Sequence, residues 1–441
     1  MSARESALVF ARRLIAAGHQ AYFAGGCVRD RFLGIEPKDY DIATSATPDE
    51  VIRLFPGSNE VGAHFGVVIA KHGGHHVEIA TFRTDGSYRD ARRPDSVTFS
   101  TPEEDAKRRD FTINGLFENP ESGEIIDHVG GLPDLESRTL RAIGDPAARF
   151  SEDALRLLRA VRFSASLEFP IETATHDAIR EHAGLIRKIS IERIRDEFSK
   201  IIVSKRRREG VELLVESGLL EHFIPEFLPT IGCEQPPEWH PEGDVYTHTL
   251  IMLDMLGEDA PLELCLAVFF HDIAKPPTQT FDEAANRIRF NGHDVLGAEM
   301  TREILNRLKY PNVVIQAVVP MVARHMQFMN VQKMRVAKLK RFMAEPTFPL
   351  EMELHRVDCG SSNGFTDNYD FLRTKENEFA SKPLIPVPLV TGRDLIERNL
   401  KPGPRFKDIL ESIQTEQLEG RILDREAALA YLAELLGEIS A

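Results

Sequence analysis

The chain is poor in residues that staple, span or repeat. Its four cysteines, Cys27, Cys233, Cys265 and Cys359, are scattered over 441 residues with no CxxC pair. That excludes a disulfide scaffold and a zinc ribbon, and it suits a reducing compartment. No apolar run approaches the roughly 18 residues that a membrane helix needs; "LCLAVFF" is the longest notable one. The N-terminal "MSARESALVFARRLIAAG" lacks a signal-peptide core followed by small residues. It reads instead as an amphipathic helix, with Ser2 and Glu5 at capping-box spacing and Gly18 to end it. A cytoplasmic protein is expected. Repeats and low-complexity tracts are absent too. Positive charge is in deficit, with 54 Lys and Arg against 69 Asp and Glu for a net charge of -15. A nucleic-acid binder usually shows the opposite balance. Binding follows local potential, however, and two segments are locally basic: "RKISIERIRDEFSKIIVSKRRREG" and "KMRVAKLKR". Both also read as solvated helix faces.

What is present is a chain of ordinary hydrophobic content, long enough for several domains. From about residue 20 to 143, short β-rich runs alternate with turns: "QAYFAG", "YDIAT", "GVVIAKHG", "HHVEIATFR" and "EIIDHV". Helical periodicity takes over near Ser151. Breaks at "CEQPPEWHPEGD" and "SKPLIPVPLVTG" divide the rest. The expected fold is α+β. A mixed-sheet head (1–143) is followed by a helical neck and body (144–235), an all-helical block (236–375) and a helical tail (376–441).

In "DYDIA", Asp39 and Asp41 stand at i and i+2, which on a strand share one face. Close carboxylates repel unless a cation lies between them, and magnesium favours such hard oxygen ligands. Alone, the spacing reads first as two exposed aspartates. The surroundings add to it. Gly25 and Gly26 follow the apolar "AYFA" and precede a helix-like "VRDRFLG". A glycine doublet at a strand-to-helix turn lets backbone N–H groups approach phosphate. No GK[ST] follows, so this is not a Walker loop. Arg29 would add a fixed cation. Glu78 in "HVEIATFR" is a third acid, on a strand so apolar that an unpaired Glu should be costly to bury.

With "GGCVRD", "DYDIATSATP", "RRDFTINGLF" and "SEDALRLLRAVRF" in order, the chain resembles the class II tRNA nucleotidyltransferases, which include CCA-adding enzymes and bacterial poly(A) polymerases. The resemblance continues into the tail, "LVTGRDLIERNLKPGPRF". It implies a polymerase-β-like head and two-metal phosphoryl transfer, with Asp39, Asp41 and Glu78 catalytic and Mg2+ as cofactor. The implied partners are tRNA, CTP and ATP, with no membrane. The implied nucleotide-binding set is Gly25, Gly26, Arg29, Arg109, Asp110, Asn114, Asp153, Arg156, Arg159 and Arg162. Asp153 and Arg156, at i and i+3 on one expected helix face, match the pair that reads the base. By themselves they read first as a surface ion pair. The polar stretch "TDGSYRDARRPDSVTFS" reads as a mobile loop, matching one that takes part in the switch from C to A addition.

In the second helical block, His248, His271-Asp272, His293, His325 and Asp358 lie on separate predicted helices. A lone histidine beside an apolar helix is usually a core residue; imidazoles and carboxylates converging from several helices suit a divalent metal. The set resembles the HD-domain metallophosphohydrolases. His248, His271, Asp272 and Asp358 match the core pattern, and His293 and His325 match the extra histidines of dinuclear members. That resemblance implies Ni2+, Mn2+, Fe2+ or Mg2+ and hydrolysis of cyclic phosphates or other phosphoesters.

CCA addition is the leading expectation. Poly(A) synthesis or CC-only or A-only addition share its chemistry. An HD phosphohydrolase with a vestigial, RNA-binding head is the alternative of another class.

Overall fold

The computed structural model describes residues 2–58, 66–86 and 96–437. The chain divides into two compact units, Met1–Leu228 with Arg307–Tyr310, and Pro229–Asn306 with Pro311–Ala441.

The first unit opens on α1 (Ala3–Ala16), whose capping box forms as its sequence dictates: the Glu5 N–H donates to Ser2 Oγ at 3.2 Å and the Ser2 N–H to Glu5 Oε2 at 2.7 Å. The strands are β1 (Ala21–Ala24), β2 (Asp41–Thr44), β3 (Val67–His72), β4 (His75–Thr81), β5 (Arg83–Asp85), β6 (Val97–Phe99), β7 (Phe117–Glu118) and β8 (Ile125–Ile126). Six of them form one sheet in the order β3-β4-β2-β1-β7-β8. β2 runs parallel to β4 and the other neighbours are antiparallel, so the sheet is mixed, as expected. Gly73 and Gly74, at φ +57° and +87°, supply the left-handed turn that folds β4 back on β3. β5 and β6 pair with each other at the two ends of the polar stretch expected to form a mobile loop. Its interior, 87–95, lies outside the described residues.

The head helices are α2 (Gly26–Phe32), α3 (Pro48–Leu54), α4 (Pro102–Lys107) and α5 (Gly131–Glu136). Proline in the first turn, after a threonine, starts both α3 and α4. Ala24, Ala43, Phe82, Ala106 and Phe117 form a core on one side of the sheet. The neck follows as α6 (Pro146–Glu152), α7 (Leu155–Leu167), α8 (Thr173–His182), α9 (Ile191–Ile202) and α10 (Arg207–Glu216).

The second unit contains α11 (Val245–Met255), α12 (Leu262–Phe270), α13 (Lys275–Thr278), the strands β9 (Thr280–Asp282) and β10 (Arg287–Arg289), then α14 (His293–Arg307), α15 (Asn312–Arg324), α16 (Val336–Met343), α17 (Phe348–Ser361) and α18 (Asp367–Phe379). The block is therefore not all-helical. β9 and β10 make an antiparallel ribbon, turned through Asn286 at φ +47°, a conformation that asparagine tolerates. The tail helices α19 (Gly392–Glu397), α20 (Pro404–Leu418) and α21 (Arg425–Leu436) bury their own cluster around Leu395, Ile413 and Leu432. It is separate from the cluster around Phe328, Phe342 and Met352.

Candidate active site and metal centre

From the residues leading into β2 and through its start, side chains alternate: Tyr40 and Ile42 are buried, while Asp39 and Asp41 are exposed. The parallel register Ile42↔Ile79 sets Asp41 beside Glu78 on the neighbouring strand. Glu78 is exposed, with Val77 and Ile79 pointing inward on either side of it. The expectation of a costly buried glutamate is thus corrected. The strand looked apolar throughout, but its period-2 pleat delivers Glu78 to the open face. Enclosure by the surrounding chain, then the charges of Glu78 and Asp39, push the Asp41 carboxyl up to about 7 against the pull of Arg109. Asp41 keeps solvent access, so the crowding of like charges is the part that a cation would reverse. Hard oxygen donors packed this way fit Mg2+. They are not drawn into a closed cage. Among the described residues, the trios whose ligand atoms lie within 4.8 Å of one another all belong to the second unit.

Gly25 closes the turn from β1 into α2 at φ +75°, and a Cβ there would lie 2.9 Å from Arg109 Nη1. Its neighbourhood is built from linked arginines. The Arg29 guanidinium donates to Asn114 Oδ1 at 2.6 Å. Asn114 Nδ2 donates to Asp110 Oδ1 at 3.0 Å, and Arg159 Nε donates to Asp110 Oδ2 at 2.7 Å. Arg109 is held by Asp105 at 3.0 Å and by the Asn114 carbonyl at 3.3 Å. Burial alone would raise the Asp110 carboxyl; the Arg159 charge, with hydrogen bonds from Asn114, Arg159 and the Phe111 N–H, outweighs it and holds the group near 2. Phe163, which no sequence signal singled out, lies under the guanidinium groups of Arg29, Arg159 and Arg162, at 5.2, 5.2 and 4.0 Å from its ring centre. Arg162 is tied on its other side to Glu197.

Asp153 and Arg156 do not share a helix face. α6 ends at Glu152, Asp153 is extended at φ −134° and ψ 101°, and α7 begins at Leu155. The cause is local. The Asp153 carboxylate accepts the Leu155 N–H at 3.1 Å, competing with helical backbone bonding. Its other oxygen faces Arg193 at 3.4 Å. Arg156 is buried, donating to Glu152 at 2.9 Å and to the Arg149 and Arg108 carbonyls at 3.0 and 2.9 Å.

The basic segments are partly spent on the protein itself. Arg207 is buried and donates to the Ser204 carbonyl. Arg206 pairs with Glu209, and Arg208 with Glu212. In the second segment, Lys340 and Arg341 donate to Leu418 and Thr415 of α20.

The histidine set, by contrast, converges as expected. His248 is on α11, His271 and Asp272 follow the last turn of α12, His293 opens α14, His325 follows α15, and Asp358 is on α17. His248 Nε2 is 3.2 Å from Asp358, and His271 Nε2 is 3.0 Å from Asp272. His293 and His325 approach the other Asp272 oxygen at 3.4 and 3.7 Å. Each ring is oriented from behind. The Nδ1 atoms of His271, His293 and His325 bond the Val268, Phe290 and Val322 carbonyls at 2.8, 2.6 and 2.6 Å, which turns every Nε2 inward as an acceptor. His248 Nε2, His271 Nε2 and Asp272 Oδ1 are buried without a hydrogen-bond partner. Close approach without hydrogen-bond alignment is what ligand atoms around a cation show. The donor set fits divalent metal, with Asp272 between two ligand groups.

Glu242 and His240 were missed, because "EWHPEGD" reads as a linker; the H-x-E spacing was the available signal. Glu242 Oε1 accepts from His248 Nδ1 at 2.7 Å and from His240 Nδ1 at 2.9 Å. A cavity of about 370 Å³ opens beside the centre, lined by Asp272, His293, His325 and Asp358 together with Lys275 and the ribbon.

Residues 21–141 match the Poly A polymerase head domain, 168–230 the probable RNA and SrmB-binding site of polymerase A, and 244–356 the HD domain. The CCA-adding enzyme of Geobacillus thermodenitrificans (strain NG80-2) is 35% identical over 441 aligned residues, covering 98% of this chain and 96% of that one. The chain belongs to the family of CCA-adding enzymes. Another CCA-adding enzyme, from Lactobacillus helveticus (strain DPC 4571), is 47% identical over 212 residues; that match spans 48% of this chain and about half (53%) of the relative. Among solved structures, the Bacillus stearothermophilus CCA-adding enzyme in complex with CTP superposes with a TM-score of 0.76 at 28% identity, covering 99% of both chains. The Thermotoga maritima CCA-adding enzyme complexed with tRNA shares the fold at a TM-score of 0.61 and 19% identity, over 97% of this chain and 94% of that one. No helix of the described residues is long and apolar enough to cross a membrane.

Proposed function

We propose that this chain adds CMP, CMP and AMP, from CTP and ATP, to the 3′ end of tRNA. The observation that carries this reading is the Asp41–Glu78 juxtaposition with Asp39 beside it, crowded enough to call for divalent cations. Asp39, Asp41 and Glu78 would hold Mg2+, which when bound supplies charge neutralisation at the reacting phosphates and an activated 3′-hydroxyl. The rest of the work belongs to the chain. The Gly25 turn admits the triphosphate close to backbone. Arg29 and Arg109, fixed by Asn114 and Asp105, position it. Asp110 holds Arg159 in place. Asp153 accepts from the amino group of C or A and Arg156 donates to the adjoining ring positions, an edge that U and G do not match. For that, Asp153 must exchange Arg193, and Arg156 its internal carbonyls, for the base. The head, neck, HD block and tail boundaries at 143, 235 and 375, and a cytoplasmic location, complete the proposal.

The test is pyrophosphate release and product sequencing with tRNA lacking its CCA. Exact CCA ends, lost in Asp41→Asn, are expected. Runs of A, or ends stopping at CC or lacking C, would replace this reading with the corresponding polymerase. No incorporation at all would leave the head without catalytic function.

A second activity is supported by the inward, unpartnered Nε2 and Oδ1 atoms of the histidine centre: metal-dependent hydrolysis of a phosphoester. Nickel, manganese, iron or magnesium would serve there, and a metal-activated water is the chemistry such an ion supplies. Hydrolysis of a cyclic phosphodiester that disappears in His271→Ala while CCA addition persists is the expected result. A metal-loaded protein that hydrolyses no phosphoester would remove it.

A further inference from the structure

No motif marks the short connection between α14 and α15, yet it is tied to the neck at every residue from Arg307 to Tyr310. These four residues belong to the first unit. Tyr310 is buried, and its hydroxyl shares a hydrogen bond of 2.8 Å with Ser199 Oγ on α9. Lys309 Nζ donates to Glu192 Oε1 at 2.6 Å, and the Lys309 carbonyl accepts from Arg195 at 2.6 Å. Lys309 stands at φ +56°, a left-handed conformation that is costly without glycine and persists where surrounding contacts fix it. The Arg307 guanidinium donates to both Glu226 oxygens, at 2.6 and 2.8 Å, and to the Phe223 carbonyl at 3.2 Å. Phe223 in turn meets Phe198 of α9 edge-on. Tyr310, Lys309 and Arg307 therefore all bear on one helix.

Glu192, Arg195 and Ser199 stand at i, i+3 and i+7, one stripe of α9. Arg193 and Glu197, at i and i+4, make a second stripe. Glu197 holds Arg162 of α7, and Arg193 faces the Asp153 carboxylate at 3.4 Å. Asp153 lies in the extended break between α6 and α7, where no helical bonding fixes it. Its contact with Arg193 is single and long, and such bonds weaken steeply with misalignment. The position of α9 thus decides how Asp153 is presented, and a functional group must be held within about 0.5 Å of its productive place.

We propose that Tyr310 is a positioning residue for base selection: its hydrogen bond to Ser199 fixes α9 along one stripe, and α9 aligns Asp153 through Arg193 on the other. This rests on the reading of Asp153 as a base-reading residue. The Lys309–Glu192 and Arg307–Glu226 pairs are solvent-exposed and individually contribute little. The Tyr310 hydroxyl is sheltered, so its loss is the one that base choice registers.

The test uses the full-length protein with tRNA lacking its CCA, and reads the ratio of kcat/KM for CTP over UTP. Tyr310→Phe and Ser199→Ala remove the same bond from its two ends. Each should lower the ratio by between about two- and tenfold, the worth of one hydrogen bond. The double variant should fall no further than either single one, and Ser199→Thr, which keeps the hydroxyl, should stay close to the parent. In an Arg193→Ala background, Tyr310→Phe should change the ratio no further. Circular dichroism like the parent's should accompany all of these. A lowered melting temperature with the parental ratio in Tyr310→Phe and Ser199→Ala, while Asp153→Ala loses discrimination, overturns the positioning role alone. Losses that add in the double variant, or that persist in the Arg193→Ala background, overturn it too. An unchanged ratio in Asp153→Ala removes the base-reading assignment, and the role of Tyr310 with it.

Discussion

Asp110 and Arg159, 49 residues apart, meet through a guanidinium–carboxylate contact of 2.7 Å that fastens the head to helix α7 of the neck. Burial opposes the charge on Asp110, yet Arg159, Asn114 and the Phe111 N–H hold its carboxyl near 2 against an ordinary 3.8. The sign follows from linkage. A depressed acid stabilises the fold above its unfolded value and loses that contribution as pH falls through the folded one. The shift corresponds to about 2 kcal/mol. Asp110→Asn should therefore be less stable than the parent at neutral pH, and the gap between them should narrow by about 2 kcal/mol between pH 4 and 2. Urea midpoints measured across that range check it; a constant gap would mean that the pairing is not made in solution.

Phe163 should matter to nucleotide handling although it carries no charge. Its ring lies beneath three guanidinium groups that repel one another, and each such contact is worth about 0.5–2 kcal/mol. Phe163→Leu is expected to raise KM for CTP and ATP alike, by roughly tenfold for each 1.4 kcal/mol lost, with Phe163→Tyr close to the parent. Steady-state kinetics on tRNA lacking CCA would show this. A loss of thermal stability with KM unchanged would make the ring a packing residue only.

Glu242 orients His248 from behind, and removing such support typically weakens metal binding by about 10–100-fold. Glu242→Gln should lower divalent affinity at the histidine centre to that extent, read by competition with a chelating dye, and leave CCA addition intact. Equal affinity would confine Glu242 to holding the chain that precedes α11.

Asp153→Ala should erode base choice more than rate. One well-placed base contact discriminates by about 1–3 kcal/mol, so the ratio of kcat/KM for CTP over UTP should fall by roughly 10–100-fold. An unchanged ratio would take Asp153 out of base reading.

The sequence made the head's acids legible because a strand's two-residue period is strict, so Asp39 and Asp41 had to emerge on one face. Glu78 does stand beside Asp41, but not for the reason its strand suggested. An apolar strand does not reveal which of its faces is covered, and this one leaves Glu78 open. The histidine set was readable because each member sits at a helix end or on an apolar helix. The Asp153–Arg156 arrangement was not readable, since periodicity cannot register one carboxylate capturing the Leu155 N–H and splitting a helix in two. Glu242 escaped for a related reason. It lies in a short polar segment whose meaning comes only from what it folds against.

The parallel pairing of β2 with β4 has a consequence for how such a chain can change over time. Gains or losses of residues in the connections between β2 and β4, outside α3 and β3, leave the partnership of Asp41 and Glu78 untouched. A single residue added inside β4 would rotate Glu78 toward the interior and bring a hydrophobic neighbour out in its place. Drift in chain length is therefore confined to the connections, while the strand itself is held to the residue.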